Sequence, residues 1–157
     1  MTVNGVSGVG SVKVFSFAPS GLTTYGTGTP GCQGTEIMYG NLTPSVGNPN
    51  FQITTQKSAP TSLSLGLVTN VQMVTPFDTF GLGILMDVNL YAATEVYTLD
   101  IPTDGLGHGA VAVPIPNNPG LAGKHYYGQV ISYWPSGPCS PSPINLSSSL
   151  GLDILIQ

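Results

Sequence analysis

AVAVPIPNNPGLAGKHYYGQVISYW, residues 110–134, reads as a strand, a proline-punctuated turn and a second strand. Val111, Val113 and Ile115 alternate with small or kinked positions. Asn117-Asn118-Pro119-Gly120 is a turn signal, because Asn side chains bond to nearby backbone and Pro presets φ. Beyond it, the two-residue period of a strand sends Tyr126, Gly128, Val130, Ser132 and Trp134 to one face. Tyr127, Gln129, Ile131 and Tyr133 go to the other. A strand that is apolar or aromatic on both faces belongs between two layers. Residues 110–134 are therefore predicted to form the central hairpin of a β-sandwich.

The flanking sequence has the same character. Residues 11–18, SVKVFSFA, alternate Val12, Val14 and Ser16 against Lys13, Phe15 and Phe17, and are predicted to form a first strand behind a flexible leader, residues 1–10. Further strands are predicted at residues 36–39, 51–56, 61–69, 84–90, 95–101 and 147–157. In residues 61–69, Leu63, Leu65 and Leu67 are predicted to be the buried face. Gly and Pro, 21 and 14 in number, are dispersed between these runs as turn residues. No segment shows helical periodicity. The expectation is an all-β antiparallel sandwich of about nine strands, jelly-roll or immunoglobulin-like, as a single domain over residues 11–157.

Charge excludes one class of function. Only 6% of the 157 residues are charged, against roughly 25% in an ordinary soluble domain. There is no Arg, and the cations are Lys13, Lys57 and Lys124. Nucleic-acid binding needs clustered Lys and Arg to displace counterions, so no nucleic-acid partner is expected. No apolar run is long enough to span a membrane as a helix. The N-terminal MTVNGVSGVG lacks the basic and apolar regions of a signal peptide; Met1 either replaces a removed signal or is the true start. A surface built from Ser, Thr, Asn and Gly is cheap to desolvate, which suits assemblies.

Cys32 and Cys139 each sit in a Gly/Pro turn, far apart in sequence. Their spacing is not that of a zinc knuckle. Two loop cysteines in a weakly charged domain, if it is secreted, most simply form a disulfide; the alternative is a pair of free thiols in an intracellular protein.

Groups for catalysis are sparse. His108 lies in a Gly-His-Gly turn and His125 beside Lys124 at a strand start, and each is more simply a surface residue than a base or ligand. No Gly-x-Ser-x-Gly elbow is present. Asp100 with Asp104, and Asp87 with Glu95, flank turns. With Asn117 and Asn118 the first pair offers oxygen ligands for calcium, against the simpler reading of Asx hydrogen bonds within turns. No cofactor, no metal and no catalytic activity are expected. Aromatics are the stronger candidates: Tyr126, Tyr127, Tyr133 and Trp134, with Gln129 nearby, are candidate carbohydrate contacts, and Tyr91 and Tyr97 add to them. The competing reading is sheet packing, since aromatics are enriched in strands.

The order of pieces carries a resemblance. YGTGTPGC near the start, SLSLGL in the middle, DGLGHGAVAVPIPNNPGLAGKHYYGQVISYW and then INLSSSLGLDI together resemble a β-rich module of secreted planctomycete and myxobacterial proteins. The resemblance covers about residues 25–157 and rests on the whole pattern, not on one motif. It implies an extracellular β-sandwich and no defined activity. Members of that family pair the early cysteine with one in a middle strand, whereas the middle strands here carry none, leaving Cys139 as the partner of Cys32.

The functional expectation is a non-catalytic extracellular structural protein that self-associates into a homo-oligomer or polymer, such as a fibre or surface layer. Strand pairing through Val12, Val14, Phe15 and Phe17 supplies the contact. The alternative is a carbohydrate-binding module with a polysaccharide partner.

Overall fold

The computed structural model describes residues 19–157. The predicted leader and first strand, residues 1–10 and 11–18, lie outside the described residues.

The described chain is all-β. In order it runs β1 (Leu22–Tyr25), β2 (Ile37–Gly40), β3 (Gln52–Gln56), β4 (Leu63–Thr69), β5 (Gln72–Phe77), β6 (Met86–Val88), β7 (Val96–Pro102), β8 (Gly109–Ala112), β9 (His125–Tyr133), β10 (Leu146–Ser148) and β11 (Gly151–Leu155). A single 3-10 turn, Pro119–Leu121, precedes β9. The described residues hold eleven strands, where eight of the expected strands fall. The additional elements are β1, β5 and the division of the predicted strand at 147–157 into β10 and β11.

All the pairings are antiparallel. The larger sheet has the order β1-β11-β9-β4-β7, with β10 also on β9. A smaller sheet has the order β2-β3-β8, and β5 pairs with β6 in a third. β9 is central, as its sequence predicts. On one side it pairs with β4. On the other it meets β11 along its first half and β10 along its second.

The predicted central hairpin is corrected. β8 pairs with β3 in the smaller sheet, while β9 lies in the larger one. Residues 113–124 therefore cross between layers. The turn forms as its residues predict: Asn118 Oδ1 accepts from the Gly120 amide at 3.0 Å, with Pro119 in the first position of the 3-10 turn. A turn motif fixes a local reversal and does not say which sheet the chain then joins.

The face of β4 is corrected as well. Leu63 and Leu65 are 60% and 40% exposed, and Ser64, Gly66 and Val68 are the inward set. Of the three leucines only Leu67 is buried. Ser64 takes an inward position because its hydroxyl is bonded to that of Ser132, 2.7 Å away.

Two apolar clusters explain why β9 is apolar on both faces. The main core lies between the larger and smaller sheets: Met38, Phe51, Ile53, Val68, Ile101, Ile115, Val130, Leu152, Ile154 and Ile156. The second lies on the opposite face, where Ile84, Met86 and Val88 cover Leu67, with Tyr127, Ile131 and Leu146 packed around them. Gly128 lets the layers close. A Cβ at that position would stand 2.6 Å from Met38 Cε. Cys32 and Cys139 are joined in a disulfide, with their Cα atoms 4.5 Å apart. Among the described residues no helix is long and apolar enough to cross a membrane.

Candidate functional site

The two ends of β9 have opposite chemistry. At its C-terminal end a buried polar cluster is built around Glu36, which is fully enclosed just before β2. Ser58 and Ser132 donate to its Oε2 at 2.8 and 2.7 Å, and Ser147 donates to Oε1. Each serine has one proton, now used, so its remaining neighbour must donate to it. Thr55 then donates to Ser58 and Ser64 donates to Ser132, each at 2.7 Å, and Trp134 Nε1 donates to Ser147 at 2.6 Å. Three arms of hydrogen bonds thus converge on one carboxylate. Burial pushes the Glu36 carboxyl above its ordinary range, and the serine bonds pull it partly back. Ser132, on the apolar face of β9 that its alternation predicts, is the sequence signal for this cluster, because an unpaired hydroxyl there would be costly.

Asp87, in the middle of β6, is a second buried carboxylate. Burial raises its carboxyl too, opposed by backbone amides of Thr27, Gly151 and Gly28. Gln129 is fully buried beside it: its Oε1 accepts from the Asp87 amide at 2.9 Å, while its Nε2 donates to the carbonyls of Leu85 and Ser149 at 3.0 and 2.9 Å. Asp87 and Glu95, paired in sequence as turn-flanking carboxylates, have separate surroundings.

The N-terminal end of β9 is open. A cavity of about 660 Å³ lies between the sheets there, walled by Leu99, Tyr126 and Ile154 on one side and by Phe51, Val113 and Ile115 on the other. Its edges differ. Val113 and Ile115 donate to the carbonyls of Phe51 and Asn48, and prolines occupy 114 and 116. Proline has no N–H, so this edge is blunted against further pairing. β7 is unblunted from Val96 to Ile101, and among the described residues its strand pairing is with β4 alone. Val96 and Tyr97 are 46% and 52% exposed at the mouth. Glu95 stands beside them, its Oε2 accepting from the hydroxyls of Tyr126 at 3.0 Å and Tyr97 at 3.3 Å. Burial, and then the Glu95 carboxylate, push the Tyr126 hydroxyl up to about 12.

The aromatics do not form one platform. Strand alternation sends Tyr126 to the cavity and Tyr127 to the far face, where it stacks on His125 and meets Tyr25 edge-on. Tyr133 is 53% exposed at the other end of β9. Trp134 is only 3% exposed with its indole N–H occupied by Ser147, so its place as a carbohydrate contact is corrected to a core residue. Tyr97 joins Tyr126 at the cavity mouth, with ring centroids 6.3 Å apart. The donor-strand residues Val12, Val14, Phe15 and Phe17 lie outside the described residues.

The loop carboxylates hold turns. Asp104 Oδ1 accepts from the amides of Leu106 and His108 at 2.8 and 2.9 Å, and these bonds hold its carboxyl below the usual range. His125 Nδ1 lies 2.8 Å from Asp153 Oδ1. Among the described residues no group of three or more His, Cys, Asp or Glu side chains is placed to hold a metal ion. Comparison with family models, curated proteins and solved structures returned no match.

Proposed function

We propose that this chain is an extracellular, non-catalytic structural protein that self-associates by strand pairing, with residues 11–18 as the donated strand. The observation that carries this reading is the outer edge of β7, which among the described residues has no strand partner, with Val96 and Tyr97 exposed along it. An exposed apolar edge presents free N–H and C=O groups to any extended segment. The low charge of the surface lowers the cost of burying it against a neighbour. The Cys32–Cys139 disulfide suits an oxidising compartment, and the resemblance to a secreted β-rich module points the same way. Electron microscopy of native material, before and after removal of residues 1–18, tests the reading. Fibres or a regular layer that vanish on removal are expected; identical assemblies from the shortened chain would contradict strand donation.

A second reading, a carbohydrate-binding module, is favoured by one observation. Tyr97 and Tyr126 stand together with the Glu95 carboxylate at the cavity mouth, an aromatic and acidic pairing suited to sugar rings. Retention on a polysaccharide panel that is lost in Tyr126→Ala supports it; binding unchanged by that substitution removes these tyrosines from it.

A further inference from the structure

We propose that the cavity beside β7 is the acceptor site for residues 11–18 of a second copy, which add as a parallel strand to the β7 edge with Phe15 and Phe17 in the cavity. This rests on the strand-donation reading above and deepens it by naming the acceptor, the orientation and the register.

Four observations carry it. Firstly, the cavity is apolar and flanked by one blunted and one pairing-competent edge, so an incoming strand has a single edge to join. Secondly, residues 11–18 supply what such a site takes: an alternating strand with two phenylalanines on one face and no proline.

Thirdly, the charges match. Glu95 and Asp100 lie on or beside the β7 edge, and Lys13 is one of only three cations in the chain. Setting Lys13 beside Glu95 with the strands parallel brings Phe15 alongside Tyr97 and Phe17 alongside Leu99. Tyr97 and Leu99, in register with the inward Val68 and Gly66 of β4, line the cavity together with Val96 and Thr98. Val12, Val14 and Ser16 then continue the outward face formed by Val96, Thr98 and Asp100.

Fourthly, the chain's own segment is too short to do this. Pro19 leads into β1, which is at the opposite edge of the larger sheet from β7. Four inter-strand spacings separate them, about 19 Å. Lying along six residues of β7 takes about 20 Å more, while eight extended residues reach at most roughly 27 Å. A segment laid along β7 in this register therefore comes from a neighbouring copy. A contact between an edge of one copy and an extension of the next is heterologous, and it propagates into a fibre unless the rotation closes a ring.

The test uses two full-length variants, each adding one cysteine to the native Cys32–Cys139 pair, Ser16→Cys in one and Thr98→Cys in a second that carries a larger tag, mixed under mild oxidation. A mixed disulfide dimer is expected on a non-reducing gel. Glu95→Lys in the acceptor copy should lower its yield about tenfold, and Lys13→Glu in the donor copy should restore it, which also shows that the altered acceptor still folds. No mixed dimer while fibres persist would overturn this acceptor and leave self-association standing. No mixed dimer and no assembly by electron microscopy would overturn both. A Ser16→Cys/Thr98→Cys double variant that closes only within one chain would overturn the assignment to a second copy.

Discussion

β9 begins at an open apolar cavity and ends in a closed polar knot, and the contrast separates a part that the fold closes by itself from one that it leaves open. At the closed end every hydroxyl proton around Glu36 has one assigned acceptor, and Trp134 lies on Gly31, next to the disulfide-bonded Cys32. At the open end Leu99 is half-buried and Val96 and Tyr97 face solvent beside a strand edge. Buried polar groups are tolerated only when satisfied, so the closed end has little freedom to change. Apolar surface facing a cavity costs less to leave incomplete, and it is the part that a second chain can finish.

Substitutions at the closed end should have the largest effects. Cys139→Ser opens a loop whose ends are 107 residues apart, and the chain-entropy model puts the loss at about 4–5 kcal/mol. Urea unfolding should show a correspondingly lower midpoint. Glu36→Ala leaves three donors without their acceptor and should cost about 3 kcal/mol. Leu99→Ala at the open end should cost only about 1 kcal/mol, since its side chain is half-buried and the cavity adjoins it already. Equal losses from Glu36→Ala and Leu99→Ala, measured in one urea series, would erase the contrast.

pH gives a smaller and more specific effect. Glu36 and Asp87 both have carboxyls raised by burial. A raised carboxyl means the folded state holds its proton more tightly than the unfolded chain does. The associated stability is fully present below the unfolded value, about 4 for these groups, and is lost as pH rises through the folded value. Unfolding midpoints should therefore rise as pH is lowered from neutrality toward the unfolded value of about 4. Glu36→Gln, which keeps the acceptor for Ser58 and Ser132, should flatten that slope. A midpoint that falls over this range, or a slope unchanged in Glu36→Gln, would contradict the assignment. Smallest of all, Leu65→Ser should shift stability by no more than about 0.5 kcal/mol, because the side chain is on the exposed face of β4. A loss of 2 kcal/mol or more, by the order of a core truncation, would show that the leucine face is covered.

The all-β sandwich and the centrality of β9 were legible because β9 is apolar on both faces, a local property. The disulfide followed from there being two loop cysteines. Less could be read where a distant partner decides. SLSLGL looks like a leucine face, yet the serine side is inward because Ser132, 68 residues away, supplies its hydrogen bond. Turn chemistry at Asn117–Gly120 marked a reversal and could not show that the chain changes sheets. Glu36 carries no local mark at all; only Ser132, on the apolar face of β9, hints at the group it serves. The cavity was illegible for a similar reason, since its walls come from β3, β7, β9 and β11 together. Yet Pro114 and Pro116, visible as punctuation in VPIP, are what blunt one of its edges.

The central claim is that the open end is completed by a second copy while the rest of the sandwich is finished. Amide hydrogen exchange across a concentration series tests it most directly, with β7 and β1 read side by side as the two edges of the larger sheet. Protection at Val96–Pro102 that grows with protein concentration, with Leu22–Tyr25 unchanged, is the predicted result. Exchange at β7 that is independent of concentration, in material that nevertheless assembles, would contradict it.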